Sequence, residues 1–163
     1  MDKINNLLKN IALIFKEKHY TLVTVESCTG GGLAYYITKY PESSPILDRG
    51  FITYSISSKE EMLKISNCKL QTCGAVSKEI SIEMAEKALQ KSKAQISIAI
   101  TGFDQSVIKK EDENQSAFAW ISCASIDNKS ISKKFITNAK REKFCEQLIV
   151  DGLKMLLTYI KNK

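Results

Sequence analysis

Apolar residues recur along this chain in two alternating rhythms, and the switches between them outline its elements. Ile4, Leu7, Leu8, Ile11, Ile14 and Phe15 fall at helical spacing, so the pattern predicts an amphipathic helix over residues 3–17. A β-rich stretch from Tyr20 to Val25 follows and stops abruptly at Glu26-Ser27-Cys28-Thr29-Gly30-Gly31-Gly32. Helical spacing resumes at Leu33-Ala34-Tyr35-Tyr36-Ile37, giving a strand, a glycine turn and a helix in succession. Pro41-Glu42-Ser43-Ser44-Pro45 holds both prolines and reads as loop. Residues 50–55 predict a second strand, and Ser58 to Ile65 a short helix. After the turn Gly74-Ala75-Val76, Ser77 is the expected N-cap of a helix burying Ile80, Met84, Ala85, Ala88 and Leu89. The nearly unbroken apolar run Ile96 to Thr101, ending at Gly102, suits a strand covered on both faces. Residues 103–115 are mostly polar and predict an exposed loop. Strands over 117–125 and 130–137 flank an Asp127-Asn128 turn, and apolar positions from Cys145 to Ile160 mark a closing helix. Helices alternating with strands, then a hairpin, predict one α/β domain over residues 1–163, a three-layer α/β/α sandwich with a mixed central sheet.

Composition narrows the classes of function. The 163 residues are 44% hydrophobic and 26% charged, as in an ordinary globular domain. No apolar stretch approaches the roughly 20 residues that span a bilayer. The amino terminus lacks the apolar block of a signal peptide, so a cytoplasmic location is expected. The net charge of +6 invites a nucleic-acid reading, yet Arg49 and Arg141 are the only arginines among 24 basic residues. Phosphate and base recognition favour arginine, and the lysines are interspersed with acids, as in Lys78-Glu79 and Glu86-Lys87. Solvated surface lysine explains the charge, and no nucleic-acid partner is expected. The five cysteines are odd in number and irregularly spaced, which predicts reduced thiols. Cys68 and Cys73 are close in sequence, but no second Cys or His pair completes a metal set. Neither a metal nor a cofactor is expected.

In α/β sheets, sites form where strand carboxyl ends meet the following loop or helix. Segments 26–32, 53–59 and 101–102 qualify, and the first is the most specific. A serine at a strand-to-helix turn is exposed at the sheet edge beside the free N–H groups and positive dipole end of a helix. Those donors suit a phosphate or an oxyanion, and the glycines let a ligand approach closely. The same composition also suits a plain glycine turn with a capping hydroxyl. His19, the only histidine, precedes the strand and so stands at its wrong end. A Ser-His-Asp triad is therefore not expected. A desolvated lysine can instead accept a serine proton. Lys59 lies just past the second strand, although by composition alone it reads equally as a surface lysine.

Taken in order, these motifs resemble the CinA C-terminal domain family, which includes stand-alone nicotinamide mononucleotide deamidases. The family's E-S-C-T-G-G segment stands unbroken as Glu26 to Gly31, followed by Ser43-Ser44. Gly50, Tyr54, Ser55 and Lys59 match its G-x-x-x-Y-S and following lysine. G-A-V-S is present as Gly74 to Ser77, an M-A pair as Met84-Ala85, and the strand-ending T-G as Thr101-Gly102. The resemblance implies a small-molecule pyridine nucleotide substrate and amide hydrolysis by a Ser–Lys dyad. Ser27 would attack the carboxamide, Lys59 would move the proton, and Tyr54 would orient or relay it. The resemblance further assigns substrate contacts to Glu26, Cys28, Thr29, Gly30, Gly31, Ser55, Thr101, Gly102 and Arg141, with oxyanion donors around Thr29 and Gly30. It also implies a homodimer.

The chain departs from the family pattern in one place above all. Where a glycine-rich I-A-G-P-x-G-G loop is usual, it carries Phe103-Asp104-Gln105-Ser106-Val107-Ile108. Asp104 brings a negative charge towards an anionic substrate. Ile56-Ser57 and Cys73 replace a usual Asn-Glu and a usual histidine, and the G-D-R motif before the last helix is missing in its ordinary form. Two readings follow. One is an active amidohydrolase with a shifted substrate or a differently held phosphate. The other is a degenerate member without deamidase activity that binds a nucleotide-like ligand or a protein partner.

Overall fold

The computed structural model describes residues 2–104, 116–127 and 129–163. Helix α1 (Asp2–Lys18) leads into strand β1 (Leu22–Glu26) and helix α2 (Gly32–Lys39). A 3-10 turn (Ser44–Ile46) then precedes β2 (Leu47–Ile52), α3 (Ile56–Leu63), α4 (Asn67–Cys73) and α5 (Lys78–Gln90). Strands β3 (Ile96–Phe103), β4 (Ala117–Ser125) and β5 (Ile131–Thr137) and helix α6 (Arg141–Lys161) complete the chain.

The five strands form one mixed sheet in the order β2-β1-β3-β4-β5. β1 pairs in parallel with both β2 and β3, whereas β3-β4-β5 is an antiparallel meander. Side chains alternate across the pleat, so Leu22 joins one core while Val23 and Val25 join the other. The first core packs α1, α2 and α6 on the sheet through Phe15, Leu33, Leu148 and Leu153. The second packs α3, α4 and α5 through Leu63, Leu70, Ile80 and Met84. The expected three-layer α/β/α sandwich is the observed architecture.

Register places the site. Glu26 is level with Ile52 on one side and Ile100 on the other. The ladder then runs one residue further, with Thr53 N–H donating to the Glu26 carbonyl at 2.8 Å and Ser27 N–H to Ile100 at 2.9 Å. Three parallel strands thus deliver Ser27, Thr53 and Thr101 to one edge.

The element boundaries that differ most from expectation are those of β2 and α3. β2 spans Leu47–Ile52 rather than 50–55, because it is an edge strand whose exposed Asp48, Arg49, Gly50 and Ile52 carry no apolar alternation. Ser55 instead caps α3, accepting from Ser58 N–H at 3.0 Å, and starts that helix at Ile56. Helix α4 buries only Leu70 and so shows no periodicity to read. Most of the polar loop, residues 105–115, and Asn128 of the hairpin turn lie outside the described residues. Among the described residues, no helix is long and apolar enough to cross a membrane.

Candidate active site

The turn after β1 is built around a buried carboxylate. Glu26, 1% exposed, accepts from Thr29 Oγ1 at 2.7 Å and from Leu33 N–H and Ala34 N–H at 2.9 Å each. The strand's last residue therefore caps the first turn of α2, where donors are otherwise unpaired. This corrects the expectation that those donors stand open to an anion, and it makes Glu26 a builder of the turn. Gly30 and Gly31 adopt φ of +59° and +95°, a region that L side chains avoid. Gly30 N–H is used inside the turn, donating to the Ser27 carbonyl at 3.1 Å. Among the described residues, the N–H groups of Thr29 and Gly31 make no backbone hydrogen bond.

Lys59 reaches this turn from α3. Its Nζ lies 3.1 Å from Ser27 Oγ and donates to the Thr53 carbonyl at 2.5 Å. The side chain is 2% exposed, and among the described residues no carboxylate pairs with it. Burial without a counter-charge disfavours the ammonium form. It lowers the lysine from its ordinary 10.5 to about 8. The amine can therefore be neutral near physiological pH, with one N–H on Thr53 and its lone pair towards the Ser27 hydroxyl.

Arg141, the first residue of α6, closes the turn from the other side. Its Nη2 donates to the Cys28 carbonyl at 3.1 Å and its Nη1 to Asp104 Oδ2 at 2.6 Å. Asp104, just past β3, is 1% exposed, and its bond raises Arg141 further above its ordinary value. The negative charge of Asp104 is thus matched by Arg141 rather than presented bare to a ligand. The Cys28 side chain belongs to the core, and burial pushes its thiol up to about 12. Cys145 Sγ donates to the Cys28 carbonyl at 3.4 Å, and its thiol is also raised, chiefly by burial. Neither cysteine is a thiolate that could compete with Ser27.

Other expected contacts are placed differently. Tyr54 is 62% exposed and, among the described residues, makes no hydrogen bond to Ser27 or Lys59. The Thr53 carbonyl orients the lysine, a role with no signature in a side-chain pattern. Tyr54 lies within electrostatic range of Arg141. Ser55 is used as the α3 cap. Thr101 is buried, and its hydroxyl donates to the Ala75 carbonyl at 3.0 Å, so it ties the G-A-V-S loop to the sheet. Gly102 sits where a Cβ would come within 2.5 Å of Ala119 Cβ, so it permits the close β3–β4 approach. Cys68 is exposed on α4, and no group of three or more His, Cys, Asp or Glu able to hold a metal occurs among the described residues.

This chain belongs to the CinA C-terminal domain family, whose model matches residues 4–160. It is similar to the nicotinamide-nucleotide amidohydrolase PncC of Enterobacter agglomerans, with 32% identity covering 98% of each chain. It is 31% identical to a CinA-like protein of Colwellia psychrerythraea across 99% of this chain. It spans only 37% of that protein, and 21% of a CinA-like protein of Chlorobium phaeobacteroides. The crystal structure of competence/damage inducible protein CihA from Agrobacterium tumefaciens superposes with a TM-score of 0.87 and 27% identity. That match covers 96% of this chain and 94% of the other.

Proposed function

We propose that this protein is an amidohydrolase that converts the carboxamide of a pyridine nucleotide, nicotinamide mononucleotide, to the carboxylate and ammonia. The observation that carries the reading is Lys59, buried with no acid partner among the described residues and within hydrogen-bonding reach of Ser27. The full-length similarity to a protein named as a nicotinamide-nucleotide amidohydrolase supports the substrate class.

In the first step neutral Lys59 takes the Ser27 proton as Oγ attacks the carboxamide carbon. The developing oxyanion takes hydrogen bonds from the turn, for which the N–H groups of Thr29 and Gly31 are the available donors. Collapse of this intermediate breaks the C–N bond, and Lys59 returns the proton to the departing amine, releasing ammonia and leaving a serine ester. A water then attacks the ester with Lys59 again as base, giving the carboxylate and restoring Ser27. Thr53 holds the amine in line through both halves, and Arg141 holds the turn through the Cys28 carbonyl.

Ammonia release from nicotinamide mononucleotide by the purified protein tests the reading, with Ser27→Ala and Lys59→Ala measured alongside. Turnover that survives both substitutions overturns the dyad. Binding without any turnover favours a degenerate binder.

A further inference from the structure

The hydroxyl of Thr53 is buried beside the serine–lysine pair and has no hydrogen-bond partner among the described residues. Val25 and Phe51 are level across the β1–β2 ladder, and both face the core to which α3 contributes Leu63. Side chains two positions on share that face, and the ladder bonds of Ser27 and Thr53 carry the register past the strand ends. Ser27 and Thr53 are therefore lateral neighbours on the face that Lys59 enters from α3. Thr101, two positions beyond Ala99, extends the row from β3. The Ser27 hydroxyl is bonded to Lys59, and that of Thr101 to the Ala75 carbonyl. Thr53 is 0% exposed, and its Oγ1 alone in this row is unpaired. Its own carbonyl accepts from Lys59 Nζ at 2.5 Å, so covalent geometry keeps the hydroxyl near the same amine.

Buried polar groups are nearly always paired, and an orphan at a reactive centre marks a place for a water or a reacting group. Thr24 and Ser97 also carry unpaired hydroxyls, but within β1 and β3 rather than at this edge. The carboxamide nitrogen departs towards Lys59, which protonates it. The water that follows must enter on the same side if Lys59 is again the base.

We infer that the Thr53 hydroxyl is a positioning group for the water that cleaves the serine ester. The inference rests on the amide-hydrolase reading and deepens its second half. The water gives one proton to neutral Lys59 as its oxygen bonds to the ester carbon, and its other O–H donates to Thr53 Oγ1. When the bond from that carbon to Ser27 Oγ breaks, Lys59 passes the proton to the serine. Thr53 neither gains nor loses a proton.

The test compares Thr53→Val and Thr53→Ser with the wild type on nicotinamide mononucleotide. Valine keeps the shape and the backbone carbonyl that holds Lys59, but lacks the hydroxyl. It should slow ester hydrolysis about 100-fold. Because kcat/KM reports only the steps up to ester formation, kcat and KM should fall together, with kcat/KM kept within about threefold. The serine ester should accumulate, seen as a mass increase of the intact protein. Thr53→Ser should hydrolyse the ester at close to the wild-type rate. Removing an unpaired hydroxyl should leave Tm no lower. A Thr53→Val protein that turns over like the wild type, or whose kcat/KM falls as far as kcat, overturns the inference. So does a Tm lowered by valine without ester accumulation, the signature of a merely structural hydroxyl, and so does a serine variant as slow as valine. Absence of ammonia from the wild type overturns the hydrolase reading itself, and the inference with it.

Discussion

The two ends of strand β1 present opposite kinds of surface. At its amino end a groove of about 910 Å³ runs between α1 and the 3-10 turn, lined by Leu13, Phe15, Lys16, His19, Tyr20 and Pro45 among others. It is roomy, but Lys16 and His19 are exposed there and Leu13 is 66% exposed. At the carboxyl end Ser27 is 7% exposed. That end holds a buried lysine, two buried carboxylates and an arginine bonded to Asp104 and to the Cys28 carbonyl. Volume alone does not make chemistry. A lysine in water keeps its proton, whereas one enclosed by neutral partners can give it up. His19, the residue best suited by type to acid–base work, stands at the wet end, five strand residues from Ser27.

That contrast can be broken most directly at Ser27. Ser27→Ala should lower kcat/KM for amide hydrolysis at least about 1,000-fold while leaving the fold intact, as read by ammonia release and circular dichroism. Lys59 comes next. Only its neutral form accepts a proton, and its value is lowered to about 8. The rate should therefore climb about tenfold per pH unit from acid and level off above that value. Lys59→Arg, which stays charged, should remove the rising limb and about 100- to 10,000-fold of activity. A flat profile in the wild type would place the proton transfer elsewhere.

Smaller effects should fall on stability. Glu26→Ala strands the N–H groups of Leu33 and Ala34 and the Thr29 hydroxyl. It should cost about 3 kcal/mol, seen as a Tm drop of roughly 10 °C. Gly102→Ala drives a methyl towards Ala119 and the Phe118 carbonyl. It should cost about 1–3 kcal/mol, measured by chemical denaturation. At the opposite end, Leu13→Ser should change stability by less than about 0.5 kcal/mol and leave turnover untouched. A marked loss of activity from that substitution would mean that the groove is part of the working site.

Much of the fold is legible because its information is local. The helical spacing of α1, α5 and α6, the apolar run of β3 and the glycine turn at 30–31 each announce themselves within a few residues. Where local pattern is thin, legibility ends: edge strand β2 shifts by three residues at each end, and α4, with Leu70 alone buried, gives no rhythm. The serine–lysine pairing was readable only as a motif resemblance, since nothing in the composition separates Lys59 from the other lysines.

The amino-acid sequence by itself determined the layered α/β architecture, the strand–turn–helix at Glu26–Gly32 and the residues able to do chemistry. Tertiary structure alone decided which of them meet. Lys59 finds Ser27 across 32 positions, Arg141 finds Asp104 across 37, and it reaches the Cys28 carbonyl across 113. It also turned expected ligand groups into framework, with Glu26 as a helix cap, Thr101 as a tie to Ala75 and Gly102 as a spacer. The physical reason is that spacing encodes conformation over a turn or a strand, whereas desolvation and charge pairing exist only once distant segments share the same buried volume.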